Sequence, residues 1–176
     1  MPSFRQGGTF FFTVSTFQKR HFLTDRASRQ ALGRAIAEVR SMQPFEIEAW
    51  VLLPDHLHSL WTLPRNDWDY AMRWGLLKAL FTRHLQQYQR HVADVTRVTR
   101  KQIGTFWQRQ FWQHEVRDER DFRRHVDYIH NNPVRHGLVS HPVDWPYSTF
   151  HRYLRAGLYA QDWVGDADQD GSEFGD

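Results

Sequence analysis

The chain has 176 residues, 40% of them apolar, which suits one domain with an ordinary core. It has no cysteine, excluding a disulfide framework, a thiol nucleophile and a thiolate-held zinc; with no cationic leader and no apolar run of membrane-spanning length, a soluble cytoplasmic protein without a membrane partner is expected. Charge is uneven: residues 165–176 hold five acids and no base, leaving residues 1–164 with 23 Lys and Arg against 15 acids, an excess common in proteins that displace counterions from nucleic-acid phosphates.

Residues 9–17, TFFFTVSTF, are β-branched and aromatic and read as a first strand; Gly7-Gly8 before it gives the backbone freedom to turn or to approach a ligand. Asp25 caps a helix over 26–42, with Ala31, Leu32, Ala35, Ile36 and Val39 at helical spacing, and Gln43-Pro44 ends it. From Phe45 the period falls to two through Ile47, Ala49, Val51 and Leu53. Pro54-Asp55 then turns the chain into a strand over 56–63, predicting an antiparallel hairpin.

Asn66 or Asp67 caps a long helix to about residue 91, with Tyr70, Trp74, Leu77, Phe81, Leu85 and Tyr88 as its core stripe. Arg73, Lys78, Arg83 and Arg90 fall largely off that stripe, on a face that reads as solvated or as tracking phosphates. Residues 92–106 lose periodicity and carry Arg97, Arg100 and Lys101, a mobile basic loop. Residues 107–118 read as the last core strand and its approach, and Asp118 with Asp121 approximates a capping box for the helix that carries Tyr128. Pro133 is expected to end that helix near Asn132. An aromatic, partly basic segment follows at 144–159, and 165–176 reads as an acidic, disordered tail behind a single domain over 1–164. Such a tail is either a solvated end, the favoured reading, or a competitor for the phosphates that the basic body attracts.

Chemistry concentrates in PDHLHSLW (54–61) and DYIHNNP (127–133). Strand alternation sets the rings of His56 and His58 side by side on one face, and helical spacing sets Tyr128 and Asn132 on another. Two imidazoles, a further oxygen ligand and a phenol are the parts needed to bind a divalent metal and attack a phosphodiester. Asn131 is the alternative oxygen ligand, because Pro133 disturbs the aim of its neighbour. Asp55 reads as the turn residue, with orientation of a histidine ring as the alternative. His125 reads as structural, with tuning of Tyr128 as the alternative, and His130 as structural.

GGTFFFTVST (7–16), LLPDHLHSLWTLP (52–64), WQRQFWQHEVRDERDF (107–122), HVDYIHNNPVRHGLV (125–139) and DWPYSTFHRYL (144–154) together make the chain resemble the REP-associated tyrosine transposases, members of the HUH superfamily of single-tyrosine nucleases. The resemblance implies an α+β fold, the RRM/ferredoxin-like domain of HUH nucleases, with a mainly antiparallel sheet and helices packed on it. It implies His56 and His58 as the HUH histidines, Asn132 as third metal ligand and Tyr128 as nucleophile, forming a 5′-phosphotyrosine linkage. It further implies Mg²⁺ or Mn²⁺, the imidazoles favouring Mn²⁺. The partner implied is single-stranded DNA with REP-type hairpins, cut by a monomer without a nucleotide cofactor, and no GxxxxGK[ST] loop is present. Arg5, Lys78, Arg83, Arg100, Lys101 and Arg109 are the candidate DNA contacts. The rival reading is a non-catalytic module binding single strands on an RRM-like sheet. A zinc hydrolase lacks its HExxH.

Overall fold

The computed structural model describes residues 8–93, 106–165 and 171–176. The elements run β1 (Thr9–Ser15), α1 (Arg26–Met42), β2 (Glu46–Leu52), β3 (His56–Thr62), α2 (Tyr70–Ala93), β4 (Trp112–Glu115), α3 (Glu119–Arg135) and α4 (Phe150–Arg155). The sheet order is β2-β3-β1-β4 with every pairing antiparallel, which is the ferredoxin-like arrangement expected. Arg5, Arg100 and Lys101 lie outside the described residues.

Alternation along β1 divides the molecule in two. Phe10, Phe12 and Val14 face α1 and α2, in a core with Leu57, Trp61, Trp74, Leu77 and Phe81. There the Trp61 and Trp74 rings stack at 4.3 Å. Phe11 faces α3, in a second core with Val51, Leu60, Val126, Tyr128 and Ile129. A side chain at Gly8 would put its Cβ 2.3 Å from the Phe10 ring, so the residue is small to let that ring lie across it.

Several expectations change in detail. β1 stops at Ser15, and Phe17 begins a 3₁₀ turn. The cap of α2 is Asp69, whose Oδ1 accepts the Met72 N–H, while Asp67 binds Arg73. Arg73 itself is buried, not on an open face: its guanidinium donates to Asp67, Asp69, Gln43 and Pro44, and a buried charge persists only when so paired. Tyr88, placed on the core stripe from its spacing, is 45% exposed. Asp118 caps α3 by accepting the Asp121 N–H at 2.8 Å, as its spacing predicts. α3 continues through Pro133 to Arg135, because a proline in the last turn forfeits one intrahelical bond and leaves the packed face intact.

Candidate functional site

The site sits where the start of β3 meets the face of α3 that carries Tyr128 and Asn132. His58 pairs with Thr13 of β1 and His56 with Ser15, so both imidazoles rise from the middle of the sheet and are buried. Their rings are 4.9 Å apart.

The hydrogen-bond network fixes which nitrogen of each ring carries its proton. Thr13 gives its hydroxyl proton to the Phe174 carbonyl at 2.6 Å, so its oxygen is left to accept from His58 Nδ1 at 2.7 Å. His56 Nδ1 donates to Asp55 Oδ1 at 2.6 Å. Asp55 is therefore both the turn residue and the carboxylate that aims His56. In each neutral ring Nε2 is then the nitrogen with the free lone pair, buried and with no hydrogen-bond donor to meet it. Asn132 Oδ1 is the third buried atom of the site in that condition. The sequence reading left Asn131 open; its side-chain oxygen is engaged by the Gly165 N–H at 3.2 Å.

Two histidine nitrogens that close on one carboxylate oxygen, with a buried unpaired amide oxygen on the neighbouring helix, make a place for a cation. The donor set, two imidazole nitrogens and an amide oxygen, is one a divalent transition ion accepts. Second-neighbour bonds of the Asp55 and Thr13 kind hold ligand rings in the right tautomer. A divalent metal fits these residues.

The acidic end of the chain differs from expectation where it is described. Gly171–Phe174 forms a 3₁₀ turn, Phe174 is buried, and its ring stacks on Tyr128 at 3.7 Å and 9°. Gly175 then takes φ +78, a conformation other residues resist, and a Cβ there would lie 2.5 Å from Trp112. This turn delivers Asp176 between the histidines. Its Oδ1 is 3.3 Å from His56 Nε2 and 3.2 Å from His58 Nε2, and its Oδ2 accepts from Tyr128 Oη and from Asn132 Nδ2. Both contacts are satisfied by a cation between these groups, either a second ring proton, which the raised pKa of His56 favours, or a metal ion.

Electrostatics follow from burial and these carboxylates. Burial pushes His58 down to about 4. On His56 burial acts in the same sense, but Asp176 and Asp55 outweigh it and raise the ring's pKa. Burial and the Asp176 carboxylate raise Tyr128 well above the ordinary phenol range, while the Arg135 guanidinium, 5.0 Å over the ring, works the other way. The site carboxylate of Asp176 is held far below the usual range: burial opposes this, and the surrounding histidines prevail.

Sequence reasoning missed Thr13, His136, Phe174 and Asp176. His136 lies 3.7 Å from Asp176 and ring-to-ring 4.9 Å from His56. Its signal was present, since 128, 132 and 136 form one i, i+4 row. Of the candidate DNA contacts, Lys78 is half-buried, donates to the Gln108 carbonyl at 2.9 Å and lies 5.2 Å over Phe111; burial lowers its pKa. Arg83 is exposed on α2, across the sheet from the histidines. Arg109 is exposed next to Gln108, whose N–H bonds the Ser15 carbonyl, so it lies at the histidine end of the sheet. His130 is structural, bonded to Thr149 and Tyr159.

Comparison with known proteins gives consistent results. Residues 10–132 match the family model described as "Transposase IS200 like". A REP-associated tyrosine transposase of Escherichia coli K12 is 44% identical over 161 residues, covering 92% of this chain and 87% of the relative. A Haemophilus influenzae protein provisionally given the same name is 42% identical over 166 residues, covering 94% of this chain and 92% of its own. The solved structure of a REP-associated tyrosine transposase bound to a REP hairpin superposes with a TM-score of 0.76 at 42% identity, over 97% of this chain and 95% of that one.

Proposed function

The chain belongs to the IS200-like, REP-associated tyrosine transposases, enzymes that cleave and rejoin DNA, and from that premise we propose that it acts on single-stranded DNA bearing REP-type hairpins through Tyr128. The observation that carries the residue assignment is that His56 Nε2 and His58 Nε2 close on Asp176, which also accepts from Tyr128 Oη and Asn132 Nδ2, with the Tyr128 ring 5.3 Å from that of His58.

Tyr128 Oη gives up its proton and forms a bond to phosphorus as the P–O3′ bond breaks; the products are a 5′-phosphotyrosine linkage and a 3′-hydroxyl, the proton lost at Oη balancing the one gained at the 3′-oxygen. Reversal by a 3′-hydroxyl rejoins strands, and because the phosphodiester energy is kept in the linkage, no nucleotide cofactor is required. His56, His58 and Asn132 would hold a divalent ion, which would supply charge stabilisation at the scissile phosphate, and the imidazoles favour Mn²⁺ over Mg²⁺. Asp55 and Thr13 hold the two rings in the ligating tautomer. His136 stands at the same edge, its ring 4.9 Å from that of His56. The place of action is the cytoplasm, where chromosomal DNA is reached; among the described residues no helix is long and apolar enough to cross a membrane.

In the structure the phenol proton points at Asp176 and Phe174 covers the ring, so 171–176 stands where a DNA strand must enter. We read this as a resting arrangement that DNA displaces. Incubating the full chain with hairpin-bearing single-stranded DNA and Mn²⁺ should give a protein–DNA adduct stable to denaturation, with the peptide containing Tyr128 modified. An adduct on another residue, or cleavage by water without an adduct, rejects the assignment.

A further inference from the structure

Between β1 and α1 the chain makes a turn that the chemistry above does not use. Gln18 and Lys19 both have positive φ, 56° and 52°, and neither is glycine. Two successive left-handed residues with side chains persist only when their surroundings over-determine them, and such strain gathers at functional sites. Here the surroundings are on the page. Thr16 N–H bonds the Asp55 carbonyl at 2.8 Å, Phe17 N–H bonds the Phe106 carbonyl at 2.8 Å, and Lys19 N–H bonds the Thr16 carbonyl at 3.2 Å. The Thr16 hydroxyl reaches the Arg20 and Asp55 carbonyls, and the Phe22 and Leu23 N–H groups both bond the Pro54 carbonyl.

The turn is thus pinned to the Pro54-Asp55 corner that aims His56. What it displays is unusual for a pinned turn: Phe17 is 41% exposed, and Gln18, Lys19, Arg20 and His21 are exposed beside it. His21 Nε2 is 3.9 Å from Asp55 Oδ2. An aromatic on a pinned backbone with cations next to it, two residues beyond the strand end that pairs with His56, is the combination that holds unpaired nucleotides: the ring stacks on a base and the cations take the flanking phosphates. Rigidity matters because a platform already fixed loses little entropy on binding.

We propose that the 17–21 turn is a nucleotide-gripping rim: Phe17 stacks on an unpaired base of the single strand leaving the hairpin foot, and Lys19 neutralises the adjoining phosphate, so that the strand is led to the His56–His58–Tyr128 site. The inference rests on the function proposed above for that site. Phe17 and Lys19 are positioning residues, touching the strand away from the reacting atoms.

The test uses the full chain without metal and hairpin oligonucleotides, either blunt or carrying a single-stranded extension with 2-aminopurine at successive positions. Wild type should change the fluorescence at one or two neighbouring positions of the extension, and Phe17→Ala should abolish that change. The same variant should lose about tenfold in affinity for the extended oligonucleotide and nothing for the blunt one. Phe17→Trp should restore both readouts. Lys19→Ala should lower the log–log salt slope of binding by about 0.7. Unchanged fluorescence and affinity in Phe17→Ala overturn the proposal, and so does an equal loss for blunt and extended oligonucleotides. Because the readouts need no cleavage, a protein that grips the extension through Phe17 but never forms an adduct would uphold the rim and reject the nucleophile, and a protein that forms the adduct at wild-type KM without Phe17 would do the reverse.

Discussion

Two clusters in this molecule have the same composition and opposite readiness. His56, His58 and Asp176 form one; His114, Asp121 and His125 form the other, and in each the potential ligand atoms lie within 4.8 Å of one another. Proton placement separates them. In the first, Asp55 and Thr13 take the Nδ1 protons and leave both Nε2 lone pairs facing the same point. In the second, His125 Nδ1 lies 2.8 Å from the Asp121 carbonyl, an acceptor that demands a proton on that nitrogen, and Asp121 is occupied by His114 Nε2 at 2.8 Å and the Arg117 N–H at 3.0 Å. The first is a clamp whose two imidazoles close on Asp176 Oδ1. The second is a hook that ties β4 to the start of α3, its two imidazoles stacked at 4.7 Å. Counting ligand types does not distinguish a metal site from a hydrogen-bonded joint; following each proton does.

The comparison breaks first at Tyr128, which belongs to the first cluster's edge. Tyr128→Phe keeps the ring packed against Phe174 and both clusters intact, and should reduce cleavage by at least about 10⁴-fold with hairpin binding unchanged, as removal of a nucleophile does. Single-turnover gels with labelled DNA measure both; wild-type cleavage by the variant would end the assignment.

Metal titration separates the clusters directly. His56→Ala and His58→Ala should each weaken Mn²⁺ binding by more than about 100-fold, while His114→Ala leaves it unchanged. Calorimetry that shows the reverse order, or a second equivalent lost with His114, would make the hook a metal centre.

Stability separates them in the other direction. Burial favours a neutral Asp121, but the His114 contact and the Arg117 N–H prevail and hold its carboxyl down to about 2, against 3.8 unperturbed. A depressed carboxyl stabilises the fold fully above its unfolded pKa, and that contribution disappears as pH falls through about 4 towards 2. Asp121→Ala should therefore cost about 3 kcal/mol at neutral pH, and Asp121→Asn should flatten the acid limb of the stability curve between pH 4 and 2. Denaturant unfolding at several pH values reads this out, and a variant with the wild-type acid limb would contradict the hook.

The smallest effect concerns the tail. Removing residues 171–176 takes the Asp176 carboxylate from the clamp and Phe174 from Tyr128, and should raise cleavage about tenfold, the size of shift a tethered segment competing for one site produces. Slower cleavage by the shortened chain would mean that the segment completes the site.

Much of this was legible in the chain. The β-branched and aromatic run TFFFTVST gave the first strand, alternation in HLHSLWT set His56 beside His58, and the 3.6-residue stripe of Trp74, Leu77, Phe81 and Leu85 gave α2, since these patterns are local geometry. Arg73 misled because its exposure was inferred from the helix alone, while its partners sit on the turn before α2 and at Gln43 and Pro44. Asn132 against Asn131 was undecidable for a related reason: the aim of a side chain in the last helical turn depends on how that turn packs.

By itself, then, the sequence determined the element order, the two-histidine strand, and the tyrosine and asparagine row on α3, because each depends on residues within a few positions of one another. Only the tertiary structure decided that Thr13 and Asp55 set the tautomers, that His136 joins the edge, and that the acidic end folds back so that Phe174 and Asp176 meet Tyr128 across 46 and 48 positions of chain. Those contacts follow from which faces of the sheet and helix are left to be covered, and no local pattern in a polar, glycine-containing segment encodes where it will find them.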